Sequence, residues 1–302
     1  MRRWLILAAA VVVLLGGAAF AIRVATAPTF RYESTGDQHR TRVRDGDGTI
    51  VATVTGGART VVVRGPSRTF AEPDTTTATV TTRSWVRLAP KPWRDGDAAL
   101  ERWLARARDD RRPDILAIGM QYAKGAADVR DAEGLRIAGR ATYGPLDAGE
   151  RAENSDFNDF LGVDWTYRDG TVRDARPDHL GALDCSGFVR MVFGYRSGYP
   201  LEWGEPTGKA LPRRAVQMAD RGPGVKVTDL QTGDLVFFDA DPGDGPAVDH
   251  VGIYLGLDSA KKPRFLSSRK TANGPTMGDL GGAAVLKGTG FYARAFRSAK
   301  RL

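Results

Sequence analysis

The single cysteine of this 302-residue chain, Cys185, lies in the run LDCSGF at residues 183–188. It is followed by VRMVFGY, so the thiol stands at the start of an apolar segment with helical spacing. Unpaired backbone N–H groups and the positive end of a helix dipole favour a thiolate there, which is the nucleophilic form of cysteine. The alternative is an inert buried cysteine that packs as a small hydrophobic residue. The hexapeptide alone does not separate the two.

A candidate base for this thiol is His250, in VDHVGIYLG at residues 248–256. A neutral imidazole near pH 7 can accept the proton of a thiol and later protonate a leaving amine. A cysteine at a helix N-terminus facing a histidine on an adjacent sheet is the general arrangement for thiol acyl transfer. The other two histidines, His39 and His179, are interpreted as a surface residue and a loop residue.

The elements that must position these two residues are predicted by hydrophobic period and turn residues. Strands are expected in LQTGDLVFFDA (230–240), in 248–256 and in RFLSSR (264–269). Helices are expected in DGDAALERWLARARDD (95–110) and in DILAIGMQYAKGA (114–126), because apolar residues recur there at helical spacing.

The chain outside these elements suggests two domains and an export segment. Between 30 and 95, β-branched runs separated by glycine and proline turns predict a small β-rich unit. The second domain would cover 96–302, with a polar insertion at about 127–181 that is too long for a plain loop. Residues 4–22 carry no charge and follow two arginines, which predicts either a cleaved signal peptide or a membrane anchor within 1–29.

The composition of the chain limits the classes of binding partner and cofactor that are expected. The 44 basic and 36 acidic residues give a net charge of +8, but the basic residues are scattered and no aromatic-interleaved basic stripe is found. Nucleic acid is therefore not expected as a partner, whereas an anionic envelope or cell wall suits an exported cationic protein. Three histidines without close pairing predict no metal site, and no glycine-rich phosphate loop is found, so no cofactor is expected.

Three motifs in order, DCSGFVRMVF, LQTGDLVFF and DHVGIYLG, resemble the NlpC/P60 family of cell-wall cysteine peptidases, most strongly over 183–270. The resemblance implies an α+β fold of papain-like type, with helices packed on an antiparallel sheet, here preceded by the β-rich unit. It implies that Cys185 is the nucleophile and His250 the general base. It also implies that the substrate is the stem peptide of peptidoglycan.

The resemblance implies further site residues. The third polar residue of the family lies in a strand like F-I-H-A, where this chain has F-L-S-S, so the position falls on Ser267, with Ser268 as the alternative. A serine stabilises an imidazolium less than a carboxylate does. Asp249 adjoins His250 on a strand, where neighbouring side chains point to opposite faces.

Residues beside the nucleophile are candidates for substrate binding. In relatives that need a free L-alanine amine, the residues flanking the cysteine hold that amine, which points to Asp184 and Ser186; a helix cap is the alternative for Asp184. The family's tyrosine near the oxyanion lies in a segment like G-x-x-Y-x-x-G, which GMQYAKG matches at Tyr122, with Tyr167 as a rival.

The expected function is an exported peptidoglycan hydrolase at the cell wall or on the outer face of the cytoplasmic membrane. The bond implied by the resemblance joins D-glutamate to a diamino acid. An N-acetylmuramoyl amidase is an alternative, because related folds use the same order of cysteine and histidine. A catalytically degenerate wall-binding protein is the other alternative, and Ser267 is the residue that favours it.

Overall fold

A computed structural model describes residues 30–36, 39–204, 206–208, 210–241, 243 and 245–302. The expected signal peptide or membrane anchor within residues 1–29 lies outside the described residues. Within the ranges that are described, no helix is long and apolar enough to cross a lipid bilayer.

The N-terminal part of the fold is an antiparallel sheet of five strands that follow one another in sequence order. The strands are β1 (Arg31–Ser34), β2 (Arg40–Arg44), β3 (Ile50–Thr55), β4 (Thr60–Ala71) and β5 (Thr79–Leu88). Alternation along β4 buries Val61 and Val63 on one face and exposes Arg64 on the other. A β-rich sheet therefore precedes the rest of the fold, as the sequence predicts.

A second antiparallel sheet forms the centre of the remaining chain, with the strand order β15-β14-β13-β12-β16. The strands are β12 (Leu235–Phe238), β13 (His250–Leu257), β14 (Pro263–Arg269), β15 (Gly274–Thr276) and β16 (Phe296–Lys300). Every residue of β12 and β14 is buried; β12 is the apolar run LVFF, whereas β14 also buries two serines and two arginines. The three strands predicted downstream of the cysteine are confirmed as β12, β13 and β14.

Short helices pack on this sheet. They are α1 (Ala98–Ala107), α2 (Ile115–Met120), α3 (Phe157–Leu161), α4 (Cys185–Val189), α5 (Ala215–Met218) and α6 (Phe291–Ala295). Helix α4 continues as a π-helical turn over Arg190–Tyr195. Helix α2 ends earlier than the predicted range 114–126. The carbonyl groups of Gln121 and Tyr122 instead accept hydrogen bonds from Gly139 and Ala141, each at 3.0 Å.

The polar insertion at 127–181 is folded. It contains three two-stranded hairpins, formed by β6 (Val129–Arg130) with β7 (Arg136–Ala138), β8 (Leu146–Asp147) with β9 (Glu150–Arg151), and β10 (Trp165–Thr166) with β11 (Val172–Arg173). Helix α3 lies between the second and third hairpins. Its residues Phe157 and Phe160 belong to the same buried core as Phe188 of α4, so the insertion supports the helix that carries the cysteine.

The two sheets share one hydrophobic core. Val80 and Val86 of β5 are fully buried in the cluster that contains Ile253 and Leu255 of β13. The carbonyl oxygen of Leu302, just after β16, accepts hydrogen bonds from the backbone N–H groups of Arg59 and Thr60, both at 2.7 Å. The N-terminal sheet is therefore packed and hydrogen-bonded to the second half of the chain.

Candidate active site

A cavity of about 570 Å³ lies between the start of α4, the insertion and the start of β13. Residues that matter for chemistry line it together: Tyr143, Asp184, Cys185, His250, Arg269 and Tyr292. A second cavity, of about 560 Å³, lies between β5 and α1 and is lined by neither Cys185 nor His250. The fold thus brings the predicted nucleophile and base, which are distant in sequence, into one cavity.

Cys185 is the first residue of α4, as the sequence predicts, and is 6% exposed. Its Sγ lies 3.7 Å from the carbonyl oxygen of Asp249, to which the thiol donates. Burial, followed by the negative charge of Asp184, raises the pKa of Cys185 to about 12. The helix N-terminus was expected to favour the thiolate, but in the structure the loss of solvation outweighs the helix dipole and the resting group is the thiol.

The start of α4 is fixed by the backbone of the insertion. The carbonyl oxygen of Ser155 accepts the N–H of Asp184 at 2.9 Å. The same oxygen lies so close to Gly187 that a Cβ on this residue would overlap it. Glycine is required there because two backbone segments touch, which places Ser155 directly against the first turn that carries the cysteine.

A row of buried charges of alternating sign runs behind Cys185, and we call it the charge ladder: Arg190, Asp156, Arg213 and Asp184. Arg190 Nε lies 3.0 Å from Asp156 Oδ1, Arg213 Nε 3.6 Å from Asp156 Oδ2, and Arg213 Nη2 2.7 Å from Asp184 Oδ2. Asp184 Oδ1 also accepts the N–H of Gly187 at 2.7 Å. Each charge has an opposite neighbour, so the ladder is neutral overall and holds the first turn of α4.

Asp184 and Ser186 both line the cavity, but their polar atoms are already engaged. Asp184 is the N-cap of α4 and the partner of Arg213. The Ser186 hydroxyl donates to Asp184 Oδ1 at 3.1 Å and accepts from Arg213 Nη1 at 2.6 Å. Asp184 therefore caps α4, as one of the two interpretations of this residue holds. That Asp184 and Ser186 bind a substrate amine stays a prediction.

His250 is the first residue of β13 and is 7% exposed. Its ring packs against Phe238 at 5.8 Å and Tyr292 at 5.6 Å between centroids. Its Nε2 is buried and has no hydrogen-bond partner among the described residues. Burial, followed by the positive charge of Arg269, lowers the pKa of His250 to about 3, and the imidazole is neutral at pH 7.

The hydroxyl of Ser267 is buried on β14, where it accepts a hydrogen bond from Arg269 Nε at 3.0 Å. Among the described residues it makes no hydrogen bond with His250. The alternative, Ser268, donates to the carbonyl oxygen of Leu183 at 2.5 Å. The carboxylate of Asp249 accepts hydrogen bonds from the backbone N–H groups of Ala240 and Asp241, in the loop after β12.

Tyr122 does not reach the cavity. It is fully buried in the core, its hydroxyl donates to the carbonyl of Ile137 at 2.7 Å, and it accepts from Arg196 at 3.1 Å. The rival, Tyr167, accepts from Arg190 at 2.6 Å and also lies outside the cavity lining. The tyrosine that the G-x-x-Y-x-x-G match selects therefore lies in the core and not on the cavity wall, because the chain turns into the core directly after α2.

The tyrosine that lines the cavity is Tyr143, in the run ATYGP of the insertion. Burial, followed by the negative charge that Cys185 carries when ionised, raises the pKa of its phenol, which therefore remains a proton donor. Sequence reasoning missed it, together with Arg213, Arg269 and Tyr292. The proximity of the last three to Cys185 and His250 depends on long-range packing, and no local motif marks them.

Helices packed on one antiparallel sheet, with a cysteine at a helix N-terminus and a histidine on a strand in one cavity, define an α+β domain of papain-like type. Residues 165–280 match the model of the NlpC/P60 family, and this part of the chain is an NlpC/P60 domain.

Two curated relatives align with about a quarter of the chain. The gamma-D-glutamyl-L-lysine dipeptidyl-peptidase of Bacillus subtilis is 38% identical over 74 residues, which are 24% of this chain and 21% of that protein. A murein DD-endopeptidase and murein LD-carboxypeptidase of Escherichia coli is 40% identical over 74 residues, 24% of this chain and 32% of that protein. The chain thus spans less than a third of the length of either. A solved NLP/P60 family structure from Staphylococcus aureus has 16% identity and a TM-score of 0.32, covering 71% of this chain and 50% of that chain.

Proposed function

We propose that this protein is a peptidoglycan hydrolase that cleaves an amide bond of the stem peptide, with Cys185 as nucleophile and His250 as proton acceptor. The observation that carries this proposal is the presence of both residues in one cavity of an NlpC/P60 domain. The relatives named above are a dipeptidyl-peptidase and a murein endopeptidase, which supports a peptide bond of the cell wall as the target.

The proposed reaction uses the neutral state of both groups. The Sγ of Cys185 attacks the amide carbonyl carbon while its proton passes to Nδ1 of His250. The imidazolium then gives this proton to the leaving amine as the C–N bond breaks, leaving a thioester. Water attacks the thioester with His250 again accepting a proton, and the thiol and a free carboxylate are restored.

Three donors can stabilise the tetrahedral oxyanion. The first four N–H groups of a helix lack intrahelical partners. In α4 those of Gly187 and Phe188 are bonded to Asp184, whereas those of Cys185 and Ser186 have no partner among the described residues. The phenol of Tyr143 is the third donor on the cavity wall.

We further propose that the bond joins D-glutamate to a diamino acid, with Asp184 and Ser186 beside the substrate amine, and that the protein acts outside the cytoplasm. The name of the B. subtilis relative supports the first point, and the charge-free run at 4–22 supports the second. Ser267 remains the proposed residue behind the imidazole, although its hydroxyl accepts from Arg269.

A binding protein without turnover is the second candidate. It is favoured by the raised pKa of the Cys185 thiol and by the absence, among the described residues, of a hydrogen bond to Nε2 of His250. Both features lower the reactivity expected of a cysteine peptidase.

Mass spectrometry of defined muropeptides incubated with the purified protein tests these candidates. Cys185→Ala should abolish cleavage, whereas Ser67→Ala, at an exposed position of β4, should not. Fragments cut between D-glutamate and the diamino acid would support the proposal. Release of the intact stem from muramic acid would replace it with an amidase, and retention of muropeptides without cleavage would replace it with the binding protein.

A further inference from the structure

We propose that Arg269 is a positioning residue that keeps His250 neutral, so that catalysis starts from a thiol and an imidazole rather than from a thiolate–imidazolium ion pair. This inference rests on the roles proposed above for Cys185 and His250. It assigns a function to a buried arginine that no motif in the sequence marks.

Continuing the register of β13 and β14 beyond its last pair brings Arg269 level with His250. Ile253 of β13 pairs with Leu266 of β14 in the antiparallel ladder. A Cβ built on Gly252 would lie 3.2 Å from the Cβ of Ser267, so these two positions face each other on one side of the sheet. Two residues further along each strand, the same side carries His250 and Arg269.

Arg269 forms no salt bridge among the described residues, and the carboxylates that act on its charge, Glu72 and Asp279, do so from beyond salt-bridge distance. The side chain is 1% exposed, and its Nη1 donates to the carbonyl oxygens of Gly278 at 3.2 Å and Gly282 at 2.9 Å. Its Nε donates to Ser267, and its Nη2 is buried with no partner in the described part of the chain. No described carboxylate lies within 4 Å of the guanidinium. Neutral dipoles therefore hold the cation, and its field reaches the neighbouring imidazole.

The groups around His250 leave this cation as the dominant charge. From α6 comes Tyr292, whose ring lies 4.4 Å from Arg269 Cζ and is also the ring packed against His250. From the start of α4 comes Asp184, which is neutralised by Arg213 at 2.7 Å. The carboxylate of Asp249 is bonded to backbone N–H groups of the loop after β12. A second positive charge on His250 would face Arg269 without a free anion to offset it.

The geometry also explains how the imidazole is oriented. Nε2 of His250 has no hydrogen-bond partner among the described residues, and the rings of Phe238 and Tyr292 enclose the histidine instead. Arg269 fixes Tyr292 through a cation–π contact and at the same time opposes protonation of the histidine. Packing and charge therefore hold the ring, while the hydroxyl of Ser267 accepts from Arg269.

The protonation of His250 tests the inference without peptidase turnover. ¹⁵N NMR follows the His250 ring from pH 3 to 8 in the wild type, Arg269→Met and Arg264→Met. Arg264 is a matched buried arginine of the same strand, but it is paired with Asp258 at 2.9 Å. We expect the pKa of His250 to be about one unit higher in Arg269→Met than in the wild type, which is a tenfold change in its protonation equilibrium. Arg264→Met should leave the pKa of His250 unchanged.

Equal pKa values of His250 in folded wild type and Arg269→Met would overturn the inference, and so would an equal rise in Arg264→Met. If Arg269→Met fails to fold, Arg269→Gln, which removes the charge but keeps a hydrogen-bonding side chain, is compared with the wild type in its place. A raised pKa of His250 in that variant agrees with the inference, and an unchanged one contradicts it. Absence of muropeptide cleavage would refute the proposed function and leave these measurements unaffected.

Discussion

The two walls of the cavity treat buried charge in opposite ways. Behind Cys185, the charge ladder from Arg190 to Asp184 pairs every ion with an opposite neighbour. Behind His250, Arg269 has only neutral partners, and both its Nη2 and the histidine Nε2 lack hydrogen bonds among the described residues. We call the first wall closed, because each of its charges has an oppositely charged partner. We call the second wall open, because Arg269 has no carboxylate partner within salt-bridge distance among the described residues.

The two walls therefore have different roles. The charge ladder fixes the helix that carries Cys185, whereas Arg269 affects the protonation of His250. A neutral, fully paired ladder fixes the helix that carries the nucleophile, and its members lose stability together when one is removed. Arg269 bonds to a serine and to backbone carbonyls, and its positive charge also disfavours protonation of the neighbouring histidine, which is a means of setting catalytic chemistry. Substitutions in the closed wall should therefore reduce stability, and a substitution in the open wall should change how stability depends on pH.

The largest effect is expected from breaking the ladder at Arg213. Arg213→Met leaves Asp184 without its ion-pair partner and weakens the surroundings of Asp156, so the free energy of unfolding should fall by about 3–5 kcal/mol. Urea unfolding followed by circular dichroism measures this. The adjacent Arg214→Met removes an exposed arginine and should stay within about 0.5 kcal/mol of the wild type. Equal loss in both variants would contradict the ladder's role.

A smaller loss is expected at Gly187. In Gly187→Ala the new methyl group meets the carbonyl oxygen of Ser155, so the start of α4 must shift. We expect a loss of about 1–3 kcal/mol in the same urea assay, together with a changed alkylation rate of Cys185. Gly46→Ala adds a methyl group where nothing lies within 4 Å, and it should be neutral. An unchanged alkylation rate in Gly187→Ala would show that this contact does not position the thiol.

The open wall predicts a pH dependence of stability with a definite sign. The pKa of His250 is lowered to about 3 in the folded chain but has its ordinary value near 6.5 in the unfolded chain. Below pH 6.5 the unfolded chain therefore binds one more proton, and stability falls as the pH falls, by about 1.4 kcal/mol per pH unit from this group. His250→Asn should make the slope between pH 6 and 4 shallower, whereas the exposed His39→Asn should keep it. Parallel slopes in all three proteins would rule out a depressed pKa at His250.

The smallest effect is expected at the rim of the cavity. Lys270 Nζ lies 2.6 Å from Glu153 Oε1, with about half of each side chain exposed. Such pairs contribute little, so Glu153→Gln should change the unfolding free energy by less than about 1 kcal/mol. A loss as large as that of Arg213→Met would mean that burial is not what distinguishes the ladder.

The sequence predicts those parts of the site that depend on short-range signals. Cys185 at a helix start and His250 in a strand follow from local period and turn residues, and the strands β12, β13 and β14 lie where they were expected. Helix α2 ends early because the carbonyls of Gln121 and Tyr122 bond to the insertion, a long-range contact that no local pattern records.

The remaining site residues depend on how distant segments meet. Tyr143 reaches the cavity through the insertion, whereas Tyr122, which matches the local spacing, packs into the core. The protonation of Cys185 also follows from burial rather than from its helix position, because desolvation acts on the whole side chain. The partner of Ser267 could not be anticipated, since Arg269 bends back over two residues to bond it.

Because the two sheets share one core, the shortest fragment of the chain that can fold by itself must contain both of them. Val80 and Val86 of β5 close the same hydrophobic cluster as Ile253 and Leu255. A recombinant fragment restricted to the family match at 165–280 would expose this apolar surface to water and would lack Tyr143 and β16. The recognisable domain is therefore not an excisable module. Domain exchange with other hydrolases should retain everything from β1 to β16 as one cassette.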